Sequence, residues 1–329
     1  MAVTASCHID KISIVCDSFP ELWIDIPSRD GVVESHGISK FPYSYYAKIS
    51  GGVFIQVADP VAQIRDYRIE YNPADVSEEV VDWFLTRSWN KKVTRCDVAI
   101  DYHGEDLLKN YSAVGPHTAR ASLVYSDRGG RLETVYFGKR SSGDQYRIYD
   151  KALQMGEEGK WWRLEREWRP SSNDVDEVLP DDLFDSIYLK KRPWEDSSLS
   201  AQQSAMLYYL MNCEGAESKV HANTRAKYRK MMIENGEELK PTVRNVYKKH
   251  LNGMRSYIEY LFHENGIQYW QNWRDKEKRL KRAHECWQAF LNRHRVWEFG
   301  KDGKTTEKIL QFDRELPMFP QDSRVNRME

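Results

Sequence analysis

Through the first 170 residues, apolar side chains recur at every second position, the period that puts them on one face of a strand. Ile9 to Val15 is an apolar run, and Tyr45 to Ser50 and Val53 to Val57 flank Gly51-Gly52, a hairpin signal. Arg68 to Asn72 is a short strand ended by Pro73. Ser77 then opens a helix through Arg87, with Val80, Val81, Phe84 and Leu85 as its apolar stripe. Val93 to Tyr102 returns to strand, and a short helix follows near Leu107. Ser122 to Tyr125 and Glu133 to Phe137 make a second hairpin across Asp127-Arg128-Gly129-Gly130, and Tyr146 to Asp150 and Trp161 to Trp168 are further strands. Residues 171–200, rich in Asp, Ser and Pro, read as a connector. Beyond Leu199 the period becomes helical, around Ala205 to Leu210, Arg225 to Met232, Val243 to Phe262 and Gln268 to Trp297. The fold class predicted is α+β: a mostly antiparallel sheet with flanking helices over residues 1–170, then a helical region over 201–298 and a loose tail over 299–329.

Four of the strands share a second pattern. Arg68 and Glu70 lie on one face, opposite Tyr67, Ile69 and Tyr71. Arg95, Asp97 and Asp101 lie opposite Cys96, Val98 and Ile100. Arg147, Tyr149 and Lys151 share a face, and so do Arg163, Glu165, Glu167 and Arg169, opposite Trp162, Leu164 and Trp168. An exposed sheet face with alternating ion pairs gives this pattern on any one strand. Four strands with the same arginine-then-acid or arginine-then-tyrosine signature point instead to a shared polar cleft. Converging carboxylates suit a hard divalent cation such as Mg²⁺ or Mn²⁺, which takes oxygen ligands. Asp97 and Asp101 are about 13 Å apart along one strand at about 3.3 Å per residue, too far to share an ion. Glu70, Asp97 and Glu165, one from each strand, form the better trio, with Asp101 behind them. No His-x-His pair occurs.

Composition narrows the class. The 329 residues are 40% hydrophobic, 12% aromatic and 30% charged, too aromatic and too evenly charged for a disordered chain. No run approaches the ~20 apolar residues of a membrane helix, and no secretory signal is visible. The five cysteines form no CxxC pair, which argues against a disulfide framework and a cysteine zinc site and for a cytoplasmic location. A net charge of -1 hides an uneven distribution: residues 219–295 hold 18 basic and 8 acidic side chains, a local excess of +10 against -11 elsewhere. Tyr and Trp are interleaved with those basic residues, a mixture suited to phosphate contact and base stacking. Lys248, Lys249, Arg274, Lys278 and Arg282 are the candidate phosphate contacts.

The polar-faced strands, in their order, resemble a known family: the plasmid rolling-circle replication initiators of the Rep_trans type, to which relaxases of integrative conjugative elements are related. The resemblance rests on Tyr67 to Pro73, Thr94 to Asp101, Glu133 to Ser141 leading to Arg147 to Lys151, Trp162 to Glu165, and Met206 to Leu210 through Tyr228, covering roughly residues 8 to 235. It implies site-specific nicking of one strand at a double-strand origin, with Tyr149 of the R-I-Y-x-K motif as the nucleophile, a 5′-phosphotyrosine intermediate and a free 3′-OH primer. It also implies origin duplex and single-stranded DNA as partners, a homodimer and a host helicase.

On this reading Arg147 and Lys151 supply positive charge to a phenol whose ordinary pKa is about 10. Arg95 and Arg163 orient the carboxylates or hold flanking phosphates. Tyr136 is the rival nucleophile, and Tyr146, on the opposite face, is a packing residue. The alternatives are a conjugative relaxase, a non-catalytic DNA-binding regulator, and a nuclease that uses water in place of tyrosine.

Overall fold

The computed structural model describes residues 3–18, 33–49, 51–59, 61–115, 122–125, 132–138, 144–213, 215–262, 281, 285, 296–299 and 305–308. In chain order its elements are β1 (Thr4–Ser18), β2 (Val33–Ile38), β3 (Tyr43–Ile49), β4 (Val53–Ala58), β5 (Tyr67–Tyr71), α1 (Glu78–Arg87), β6 (Ser88–His103), α2 (Leu107–Asn110) and β7 (Ser112–Val114). They continue with β8 (Ser122–Tyr125), β9 (Leu132–Phe137), β10 (Asp144–Asp150), α3 (Lys151–Met155), β11 (Trp161–Trp168), α4 (Val175–Val178) and β12 (Tyr188–Lys190). Then come α5 (Ala201–Asn212), α6 (Ala222–Glu234), α7 (Val243–Phe262), β13 (Val296–Phe299) and β14 (Thr305–Lys308).

The chain divides into two compact units that are not consecutive blocks of sequence. The first comprises residues 1–16, 69–76 and 89–265; the second comprises 17–68, 77–88 and 266–329.

In the first unit the strands follow the order β5-β1-β6-β11-β10-β9-β8, and every pair from β6 to β8 is antiparallel. The α+β class with a mostly antiparallel sheet and flanking helices is therefore what the chain adopts. One sheet face is apolar. Val98, Ile100, Tyr102, Ile148, Trp162 and Leu164 are all buried on it. Residues 171–200, whose composition suggests a connector, contribute to the core beneath that face. Leu179, Leu183, Phe184, Ile187 and Leu189 are fully buried. The Phe184 ring meets Tyr146 edge-on at 6.1 Å and Tyr247 of α7 at 5.2 Å. Tyr247 in turn donates to the Pro180 carbonyl at 2.8 Å.

α7 spans the residues its period indicates. Val243, Val246, Tyr247, Leu251, Met254, Ile258 and Leu261 form a continuous buried stripe. Lys248 and Lys249 are exposed on its other side. α5 and α6 bury far less: Leu207, Tyr228 and Met232 meet Val114 in a small satellite core.

The second unit carries β2-β3-β4, an antiparallel meander whose β3–β4 turn uses Gly51 and Gly52 at φ 86° and 85°. That left-handed backbone is where the absence of a Cβ matters. α1 begins after Ser77 and buries Val80, Val81, Trp83, Phe84 and Leu85. Val296 and Trp297, at the end of the helix expected from Gln268, belong instead to β13, which pairs with β14 as an antiparallel ribbon. β-branched and aromatic residues at 296–299 and 305–306 favour that extended form. The rest of the expected 268–297 helix and of the tail lies outside the described residues, apart from Lys281 and Glu285, which are helical.

Candidate active site

The polar face of the first unit is built by register. Tyr149 of β10 is opposite Arg163 of β11, which is opposite Asp101 of β6. One pair along, Arg147 is opposite Glu165, which faces Ala99; one further, Gln145, Glu167 and Asp97 form a third row. Because side chains alternate, all three rows stand on the same side of the sheet. The expected polar faces of β6, β10 and β11 therefore form one continuous surface.

Tyr149 is the centre of the first two rows and is only 7% exposed. Its phenol donates to Glu165 Oε2 at 3.2 Å. Arg147 grips the same carboxylate through Nε at 3.0 Å and Nη2 at 2.6 and 2.7 Å. Its guanidinium also lies 4.8 Å from the centre of the Tyr149 ring, and the Lys151 amine lies 6.0 Å from it. Burial pushes the Tyr149 phenol up from its ordinary value, and the Glu165 carboxylate adds to this. Arg147 and Arg163 pull the other way and lose. The resting hydroxyl is thus protonated and aimed at a carboxylate acceptor. Lys151 does not continue β10: it opens α3, whose N-cap Asp150 accepts from the Leu153 amide at 3.0 Å. Burial and the Arg163 charge hold the Lys151 amine below the usual lysine range.

Arg163 anchors a second cluster. Its Nε and Nη2 each donate to Asp101 at 2.8 Å, and Nη1 donates to Asp10 of β1 at 2.5 Å. The Trp161 indole N–H donates to Asp101 Oδ1 at 2.9 Å, and His8 Nδ1 is 3.8 Å from the same carboxylate. Burial alone would raise the Asp101 carboxyl, but Arg163 and Trp161 together hold it below the usual carboxylate range. Asp101 therefore serves Arg163 in the tyrosine's own row. In the third row Arg95 donates to Asp97 at 2.7 and 2.5 Å and pairs with Glu167 at 3.1 Å, and Arg169 pairs with Glu167 at 3.0 Å. Burial pushes Asp97 up to about 6 against the pull of Arg95, helped by the charges of Glu165 and Glu167.

Glu70 stands apart. It accepts from Lys11 at 3.3 Å and Ser13 at 3.2 Å, and β1 lies between its strand and β6, roughly 10 Å at about 4.8 Å per strand. Glu70, Asp97 and Glu165 do not converge on one point; each is paired with its own cation. Among the described residues no group of three or more His, Cys, Asp or Glu side chains is placed to hold a metal ion. The arrangement fits a carboxylate–guanidinium network and does not fit the compact oxygen shell that Mg²⁺ or Mn²⁺ requires.

Tyr136 pairs with Arg147 from β9, one strand beyond Tyr149. Tyr146 is on the apolar face, where its hydroxyl donates to the Leu183 carbonyl at 3.0 Å and lies 3.1 Å from Ser186 Oγ. Lys248 and Lys249 are exposed on α7; Arg274, Lys278 and Arg282 lie outside the described residues. Three residues of the site escaped the strand-by-strand reading: His8, Asp10 and Trp161. His8 and Asp10 flank buried Ile9 in an alternating triplet, a signal present in the sequence.

No family model matches the chain. Over 181 residues the chain is 29% identical to a replication initiation protein of Staphylococcus aureus, an alignment covering 52% of this chain and 56% of that one. A second replication initiation protein of the same organism is 28% identical over 220 residues, covering 63% and 67%. Over part of its length the chain is thus similar to replication initiation proteins. It spans between 56% and 67% of the length of these two curated relatives. A solved structure, of a rolling circle replication initiator protein from Geobacillus stearothermophilus, aligns with a TM-score of 0.42 at 20% identity, covering 59% of this chain and 90% of that one.

Proposed function

We propose that this chain is the replication initiator of a rolling-circle plasmid, acting in the cytoplasm as a DNA nicking-closing enzyme. The reading is supported most by one observation: a tyrosine hydroxyl seated on a carboxylate that an arginine fixes from the other side. Tyr149 Oη attacks the scissile phosphorus as Glu165 takes its proton. The bond between phosphorus and the 3′ oxygen breaks, and that oxygen leaves with a proton from Lys151, whose depressed pKa suits it to give one up. The products are a 5′-phosphotyrosine and a free 3′-OH primer. Closing reverses each transfer. Arg147 and Arg163 offset the charge that builds on the phosphate oxygens. Lys248 and Lys249 hold the duplex by its phosphates. Origin specificity, a homodimer, a host helicase partner and a Mg²⁺ or Mn²⁺ requirement, the ion coming with the DNA phosphates rather than resting on Glu70, Asp97 and Glu165 together, belong to the same proposal, and no step above is routed through an ion.

The test is a covalent-adduct assay. Incubated with supercoiled DNA of its own replicon and Mg²⁺ or Mn²⁺, the protein gives a protein–DNA band on a denaturing gel, and Tyr149→Phe gives none. Nicking by Tyr149→Phe without an adduct would replace this reading with a water-using nuclease. DNA binding with neither nick nor adduct in the wild type would replace it with a regulator. Chelator sensitivity of the adduct band measures the metal requirement separately.

A further inference from the structure

On the far side of β9 from Tyr149 is a pocket that the chemistry above does not use. β9 presents Thr134 and Tyr136 to the polar rows, so Val135 and Phe137, which alternate with them, face the other way. Val135 and Phe137 are buried and line a cavity of about 310 Å³, completed by α2, β7, the turn at Pro193–Glu195 and α5. That volume is at the lower end of small-ligand sites, about 300 Å³, which suits one heterocycle better than a large cofactor.

Trp194 and Tyr208 stand on its wall with ring centres 5.5 Å apart and planes at 87°. In that edge-to-face pair Trp194 packs against the satellite core, and Tyr208 is the ring that reaches solvent. Tyr208 is 52% exposed, a large apolar surface for a soluble element to leave in water. Lys109 and Arg192 line the same pocket and are exposed. Arg192 is held in place by Glu195 at 3.0 Å and by the Lys109 carbonyl at 3.5 Å, on a left-handed backbone at φ 33°. Asn212 adds a polar edge.

An exposed aromatic ring with Lys109 and Arg192 beside it, the latter paired with Glu195 of the same lining, suits an unpaired base and its flanking phosphates. We propose that this pocket is a stacking site for an unpaired base of single-stranded DNA, away from the phosphate being cut. The inference rests on the nicking reading, which supplies a displaced single strand as the natural occupant. A base in paired duplex has both faces covered by its neighbours and cannot enter, so the site discriminates between strand states rather than between sequences.

The test uses the full chain and a fluorescently labelled oligothymidylate, with binding followed by anisotropy. Tyr208→Ala is expected to weaken binding about 5- to 100-fold. Tyr208→Phe, which keeps the ring, is expected to bind as the wild type does, and Tyr208→Leu, which keeps apolar bulk without a ring, to bind as the alanine variant does. Because Tyr208 is half in water, all three are expected to melt with the wild type, and circular dichroism checks this. Oligothymidylate affinity unchanged in Tyr208→Ala would overturn the proposal, as would an equal loss of affinity for a fully paired duplex. The adduct assay on the same variants separates the two claims. An adduct formed by a Tyr208→Ala protein with unaltered oligothymidylate affinity would leave the nicking reading standing and remove the pocket. Loss of oligothymidylate affinity in Tyr208→Ala, in a protein whose wild type forms no adduct, would do the reverse.

Discussion

Asp97 shows how much a single carboxylate on this sheet can be asked to bear. It is 1% exposed, shares Arg95 with Glu167, and has its carboxyl pushed up to about 6 by burial and neighbouring negative charge. The unfolded chain releases that proton near 3.8, the folded protein near 6. Between those values the folded state holds a proton that the unfolded state has lost, so this group makes stability fall as pH rises from about 4 to about 6 and adds no further slope above. Asp97→Asn removes the titration and leaves Arg95 its bond to Glu167. Denaturant unfolding measured from pH 4 to pH 8 is expected to show a shallower decline in the variant and greater stability than the wild type at pH 8. A variant that is uniformly less stable, with the slope unchanged, would place the cost of this site elsewhere. The carboxylates themselves were legible in the sequence because strand alternation fixes which face each occupies. Their partners were legible only in part. Period two puts Asp97 on the same face of its strand as Arg95, its cation, but only the register, with Arg147 opposite Glu165, says which cation Glu165 meets, and only the register brings Glu167 beside Asp97.

The same limit applies to whole elements. β6, β10 and β11 follow from alternation, and α7 follows from a stripe of seven buried residues at helical spacing. Residues 171–200 could not be read that way. Their apolar side chains, Leu179, Leu183, Phe184 and Ile187, lie in short turns with no long period, although they sit at zero exposure. The opposite happens with β1, whose burial alternation changes phase between Asp10 and Lys11: the strand is obvious and its facing is not. α7 offers a direct test of how one helix divides its two faces. Ile258→Ala is expected to cost about 2–5 kcal/mol of unfolding free energy, the usual loss for a fully buried aliphatic side chain. The double variant Lys248→Gln, Lys249→Gln touches only the exposed side and is expected to stay within about 0.5 kcal/mol of wild type. Its signature is in binding: the plot of log affinity against log salt for duplex DNA is expected to lose about 1–2 units of slope, close to one for each phosphate contact removed. An unchanged slope would take duplex binding off this helix.

For the molecule as a whole, the proposed chemistry is distinguished from simple hydrolysis by being reversible. A phosphotyrosine conserves the phosphodiester, so a strand that is opened can be closed by the 3′-OH without an energy source. Each proton retraces its own path: Tyr149 to Glu165 and Lys151 to the 3′ oxygen on opening, and back on closing. Any substitution confined to either path must slow both directions. Glu165→Gln keeps the side chain's size and one acceptor for Arg147 but cannot take a proton from the phenol. Supercoiled DNA of its own replicon, incubated with wild-type protein, is expected to yield nicked circles together with relaxed closed circles. With Glu165→Gln at saturating DNA, both products are expected to appear about 10²- to 10⁴-fold more slowly, and their ratio to stay the same. The α7 double variant is expected to behave differently, needing more DNA to saturate and then matching the wild-type rate, because it alters holding rather than proton transfer. A Glu165→Gln protein that nicks at the wild-type rate would show that the tyrosine is deprotonated by another group. One that nicks slowly but closes at full speed would show that the two directions use different acids, and the retraced-path mechanism would have to be abandoned.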